Sequence, residues 1–246
     1  MHSPVLLEVC VETVASAVAA EQGGAHRIEL CSDLAVEGLT PGPDLIEQMR
    51  EQVAIPLHVL IRPRAGDFCY SIREFEAMKH EIRRAKQRSV NGLVFGILDA
   101  NTRIDVSRTH ELVELARPLS VTFHRAFDAC ADLPEALEDV VRTGADRVLT
   151  SGGAPTAEEG SSMLAKLVTS AAGRISVLAC GRIREENIRQ IIDLTGVREV
   201  HTSLQLRSVE GKGVGDHAQG NGQEAAALRR EAVASLLAAA KRPSGG

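Results

Sequence analysis

The chain has 246 residues, 44% of them hydrophobic and 25% charged, a formal net charge of -5, and only five Phe, one Tyr and no Trp. This is a globular composition whose core must come from Val, Leu, Ile and Ala, the usual material of parallel sheets covered by helices. The acidic balance argues against a nucleic-acid binder, which needs clustered Lys and Arg. No apolar run reaches the 18 or so residues that a bilayer span requires.

Along the chain, apolar β-type runs alternate with segments of helical periodicity. The predicted strands are 6–11, 27–32, 57–63, 92–98, 120–125, 147–151, 175–180 and 199–203. Between them lie segments such as "SIREFEAMKHEIRRAK" and "DLPEALEDVVRTG", with apolar residues at helical spacing. In "GGAHRIEL" and "TGADRVLT" a helix closes on Gly just before the next strand, which suits the left-handed residue past a helix end. The basic run "RRAKQR" follows Glu74, Glu76 and Glu81 on one predicted helix and reads as a solvated mixed-charge face. Eight βα units with no linker in the first 200 residues predict an α/β fold, a single TIM-type (β/α)8 barrel domain over 1–246. The Gly-rich polar stretch 207–223 is expected to be a flexible loop before a C-terminal Ala-rich helix. It is either a lid closing through Lys212 or His217 or a plain surface insertion.

Barrel active sites lie at the C-terminal ends of the strands. Side chains alternate along a strand, and a polar residue belongs on the inner face rather than against the helices. That parity pairs Glu8 with Cys10, Glu29 with Cys31, His58 with Arg62, Thr122 with His124, and His201 with Ser203. The end of the fifth strand, "VTFHRAFD", gathers His124, Arg125 and Asp128. The loop "RPRAGDFCYS" adds Arg64, Asp67 and Tyr70, and in "TSGGA" the residues Ser151, Gly152 and Gly153 offer backbone N–H groups to an anion. Two buried glutamates need counter-charge, for which Arg62 and Arg125 are at hand. A purely structural salt-bridge layer is the alternative to a ligand site.

Some chemistry is disfavoured. None of Lys79, Lys86, Lys166, Lys212 and Lys241 falls at a strand end, so no Schiff-base amine is expected. Five cysteines without a C-x-x-C pair argue against a disulfide framework or structural zinc site. With no signal-type N-terminus, they point to the cytoplasm.

"LEVCV", "GAHRIELCS", "GLTP", "HVLIRPRAGDFCYS", "VTFHRAFDAC", "RVLTSGG" and "EVHTS", in order from about residue 5 to 205, resemble the CutC family, known as copper homeostasis proteins. The resemblance implies a TIM-type barrel, a cytoplasmic location, a homodimer or larger homo-oligomer and a role in copper handling. The chain departs from the family pattern after the seventh strand. There "ACGRIREEN" puts Cys180 and Arg182 where the glycines of a G-x-G turn are expected.

Two functions follow. In the first, Cys10 and Cys31, in matching E-x-C contexts on neighbouring strands, bind Cu(I), a soft ion suited to thiolates, with His124 or His201 nearby. Against this, Cys is commonly a small core filler. In the second, the barrel is an enzyme of lyase or isomerase type acting on a small anionic or phosphorylated carbonyl compound. Arg62 and Arg125 clamp the anion, and Arg64, Asp128, Ser151, Gly152, Gly153, His201 and Ser203 complete the binding site. Glu8 or Glu29 acts as general base, Asp67 is a further acid–base candidate, and His124 serves as acid or electrophile. A divalent ion on Glu29, Asp128 and His201 is a variant of the second reading.

Overall fold

Eight parallel strands pair in sequence order: β1 (Leu6–Val11), β2 (Arg27–Leu30), β3 (Leu57–Leu60), β4 (Gly92–Phe95), β5 (Ser120–Phe123), β6 (Arg147–Thr150), β7 (Ser176–Ala179) and β8 (Glu199–Thr202). β8 pairs back onto β1, with Leu6 opposite Glu199 and Glu8 opposite His201, which closes the barrel. The computed structural model describes residues 5–203 and 222–241. Outside the strands run α1 (Val14–Gln22), α2 (Pro43–Gln52), α3 (Ile72–Lys86), α4 (Val106–Ala116), α5 (Leu133–Thr143), α6 (Ser161–Ala171), α7 (Ile188–Thr195) and α8 (Gly222–Lys241). This is the (β/α)8 architecture that the alternation of periodicities predicts. Residues 207–221 of the expected loop, Lys212 and His217 among them, lie outside the described residues, and positions 222 and 223 open α8.

The two parities of each strand go to different places. Val9, Ile28, Val59, Leu93, Val121, Val148, Val177 and Val200 all join the main core between strands and helices. The opposite parity builds the barrel interior, where only two small apolar clusters form: Cys10, Cys31, Leu60 and Val94, and Leu149, Leu178 and Cys180. The rest of the interior is polar.

Local chemistry sets the helix ends. Ser71 and Glu74 form a reciprocal capping box at the start of α3, whose last turn carries Arg83, Arg84 and Lys86. Asp132 caps α5, which buries Leu133, Ala136, Leu137 and Val140 at helical spacing and ends at Gly144 with φ 81°. Among the described residues, no helix is long and apolar enough to cross a membrane.

The strands stop earlier than expected at their C-terminal ends, β5 at Phe123 rather than residue 125. The backbone there must leave the sheet to reach the helix layer. His124 still donates its N–H to Phe95 O at 3.1 Å, then caps a 3-10 turn, Arg125–Ala129. Its side chain is therefore fixed by the sheet behind it and the turn ahead.

Candidate functional site

The lower part of the barrel interior holds a closed ionic network. Glu8 of β1 is wholly buried and receives Arg27 Nε from β2. His201 Nδ1 of β8 lies 2.7 Å from its other oxygen. Arg27 Nη2 donates to Glu199 at 2.8 Å, Glu199 also accepts from Arg147 Nε at 2.9 Å, and Arg147 Nη1 donates to Ser120 Oγ at 2.6 Å. Burial by itself raises the pKa of Glu8, but Arg27 and then His201 outweigh it and hold the carboxyl well below the usual range. Two expectations are corrected here. The counter-charge of Glu8 is Arg27 and not Arg62, and Glu8, fully committed as an acceptor, does not line the cavity and is no free base. Arg27 shares the inner parity of Glu29 and Cys31, a signal sufficient to have found it.

Above this network a cavity of about 460 Å³ opens at the C-terminal ends of the strands. One wall, from β1, β2 and β8, carries Cys10, Glu29 and His201, whose ligand atoms lie within 4.8 Å of one another. Cys10 Sγ is 3.5 Å from Glu29 Oε1 and 3.3 Å from Cys31 Sγ. Cys31 is fully buried behind it, 3.7 Å from Val11 O. The contact with Cys31, followed by burial, pushes the Cys10 thiol pKa up. Burial raises Glu29 to about 6, and its Oε2 has no partner among the described residues. For His201, burial opposes charge, but Glu29 and the hydrogen bond to Glu8 prevail and raise its pKa. An ionised Glu8 only accepts, so Nδ1 of His201 carries the proton and Nε2 is the atom left for a ligand.

The facing wall is basic and aromatic. Arg62 is 3% exposed, and its guanidinium donates to the carbonyls of Val36 (2.7 Å), Gly38 (2.9 Å) and Gly66 (3.1 Å), while its Nε is unpartnered. The His124 ring packs against Phe68 at 4.8 Å between centroids, tilted by 56°, and meets Phe123 edge-on at 6.0 Å. Gly96 makes room for it, since a Cβ there would stand 2.7 Å from His124 Nδ1. Burial, then Arg62, pushes the His124 pKa down to about 3, so the ring is neutral at physiological pH. Arg125, Arg182, Arg184 and Ser203 complete the lining.

The remaining expected residues lie elsewhere. Asp128 accepts from Ser151 N at 3.0 Å, Gly153 N at 3.1 Å, Ser151 Oγ at 2.9 Å and Thr150 Oγ1, and Arg125 Nε pairs with it at 3.0 Å. Gly152, at φ 73°, gives its N–H to Thr150 Oγ1 at 2.8 Å. Of the three amides expected to hold a ligand anion, those of Ser151 and Gly153 thus already hold the chain's own carboxylate and that of Gly152 is spent on Thr150. The same saturation removes Asp128 from the divalent-ion set. Asp67 is exposed and pairs with Arg64 at 2.7 Å, and Arg64 also binds Glu74 at 2.6 Å. Both residues build the loop after β3 rather than the cavity. Arg184 and Glu37 line the cavity from loops and carry no parity signal that a sequence reading can use.

The sequence profile of the CutC family matches residues 5–206. The chain belongs to the CutC family. A mouse copper homeostasis protein cutC homolog is 48% identical over 200 residues, covering 81% of this chain and 74% of that protein. A family protein CutC from Chromobacterium violaceum is 42% identical over 200 residues, 81% of each chain. A crystal structure of a Streptococcus agalactiae protein named for CutC copper homeostasis superimposes with a TM-score of 0.75 at 32% identity, covering 80% of this chain and 97% of that one. In this CutC-family chain, then, the barrel mouth combines a thiol and carboxylate wall with an arginine and aromatic wall.

Proposed function

We propose that this CutC-family chain serves copper homeostasis by binding Cu(I) as cargo at the barrel mouth through Cys10 and Cys31. The observation that carries the reading is the 3.3 Å approach of two free thiols on adjacent strands. Thiolates are soft donors that select Cu(I). The donor set fits, because His201 Nε2 and Glu29 stand beside Cys10, and the Glu8 carboxylate orients the imidazole from behind as second partners of metal-binding histidines commonly do. Since the ligand form is the thiolate, Cu(I) must displace the Cys10 proton that Cys31 and burial hold in place. Uptake therefore releases protons and tightens as pH rises.

The name of the mouse relative supports the copper role. The free cysteines fit a reducing cytoplasm. A homodimer or larger assembly belongs to the same reading, with the exposed Ile72 and Leu194 as candidate contacts, and sedimentation of the purified chain tests it. Copper binding itself is tested by anaerobic titration of the reduced chain with Cu(I) against a competing chelator. Cys10→Ala and Cys31→Ala are expected to bind at least tenfold more weakly than wild type, and equal affinity in all three overturns the reading.

A further inference from the structure

The rest of the mouth carries chemistry that a Cu(I) ion does not use. In a chain of net charge -5, four arginines, Arg62, Arg125, Arg182 and Arg184, line one cavity. Glu29 and Glu37 line it too, and the four arginines outnumber them, an excess of positive charge that draws in anions. The Arg182 guanidinium sits at the exposed rim and makes no hydrogen bond or ion pair among the described residues.

Deeper in the mouth are two buried donors without acceptors among the described residues. His124 Nδ1 accepts the Ala126 N–H at 3.3 Å, so the proton of the neutral ring is on Nε2, and that N–H has no partner. Arg62 Nε–H has no partner within hydrogen-bond distance among the described residues, although the Tyr70 hydroxyl is a near neighbour and three carbonyls fix the rest of the guanidinium. The two side chains are 5% and 3% exposed, and an unsatisfied buried donor is costly unless something completes it. The Phe68 ring lies against both, 5.1 Å from the Arg62 guanidinium and 4.8 Å from the His124 ring. It covers the donors and must turn aside for a ligand oxygen to reach them.

We propose that these residues around the mouth bind a small organic anion, a phosphate or carboxylate that also bears a carbonyl or hydroxyl oxygen. The anionic end lies among Arg125, Arg182 and Arg184, and the neutral oxygen accepts from His124 Nε2–H and Arg62 Nε–H once Phe68 moves. The cavity, about 460 Å³, has the size of an ordinary small-molecule site. The site is independent of the thiols, so it stands or falls separately from copper binding.

Calorimetry on the full chain at low salt, with dihydroxyacetone phosphate, pyruvate and inorganic phosphate as probes, tests it. Saturable binding of dihydroxyacetone phosphate or pyruvate is expected, and whichever binds names the anchoring anion. Affinity falls about tenfold or more in Arg182→Ala, an exposed position where folding is not at stake, and is kept in Cys31→Ala. In nitrogen-15 spectra the His124 Nε2 resonance shifts on saturation. No saturable binding of either carbonyl probe, or equal affinity in wild type and Arg182→Ala, overturns the proposal. Inorganic phosphate binding as tightly as dihydroxyacetone phosphate, with an unmoved His124 resonance, overturns the assignment of the two buried donors. Anion binding by a wild-type chain that takes up no Cu(I) overturns the copper reading alone, and loss of anion binding in Cys31→Ala overturns the independence of the two sites.

Discussion

Two polar layers occupy the inside of this barrel, and they differ in pairing rather than in polarity. In the lower one, the charged groups of Glu8, Arg27, Glu199 and Arg147 satisfy one another and Ser120 across five strands, while the uncharged His58 Nδ1 and Thr122 Oγ1 have no partner among the described residues. In the upper one, Glu29 Oε2, Arg62 Nε and His124 Nε2 are buried without partners among the described residues. Both layers look alike along the sequence, as charged residues at inward positions. The lower layer is a structural salt bridge; the upper layer keeps its unmet hydrogen-bonding capacity at the end where barrel ligands bind. Charge inside a barrel does not by itself mark a site, whereas incomplete pairing at the mouth does.

The contrast is broken most severely at Arg27. Arg27→Met leaves Glu8 and Glu199 short of counter-charge and is expected to cost about 3–5 kcal/mol in denaturant unfolding. A loss below about 1 kcal/mol would place the lower layer among the dispensable ion pairs. Asp128 sharpens the comparison, because it stands near the mouth yet is saturated by Ser151, Gly153, Thr150 and Arg125. If pairing rather than position governs stability, Asp128→Ala loses about 2–3 kcal/mol, read from the urea midpoint.

His124 gives a pH test. Its folded pKa, about 3, lies below the ordinary 6.5, so the folded chain binds fewer protons than the unfolded one between those values. The contribution is fully present above pH 6.5 and is lost as pH falls toward 3. His58, lowered to about 4 by burial, acts in the same sense, so the informative quantity is the difference between wild type and His124→Gln. That difference should change in favour of the variant by up to ~1.4 kcal/mol for each pH unit below 6.5. A difference independent of pH would mean that the ring keeps its ordinary pKa in the folded state. The smallest effect is expected at Cys31, whose replacement by Ala removes one sulfur from a small interior cluster and should cost about 1 kcal/mol in thermal unfolding.

Much of the architecture is written locally. Alternation along "LLEVCV" or "SVTF" and helical spacing along "IREFEAMKHEIRRAK" are properties of short windows, and each observed strand falls within a residue of its expected start. Parity likewise brought Cys10, Glu29, Arg62, His124, His201 and Ser203 to the cavity wall. Loop residues were less legible. Asp67 and Arg64 were expected at the mouth from a loop whose path has no periodicity, and they turned to each other and to Glu74 instead.

The sequence by itself therefore determined the barrel, its inner face and its family, because strand and helix periods act over a few residues and eight repeats leave one closed arrangement. Only the tertiary structure decided the partners. Arg27 meets Glu199 across 172 positions, and Asp128 takes the amides of Ser151 and Gly153 from 23 and 25 positions away. The stagger of a closed barrel sets which side chains from different strands share a level. No local window carries that stagger, so which charges are neutralised below and which donors stay open above is fixed only when β8 closes on β1.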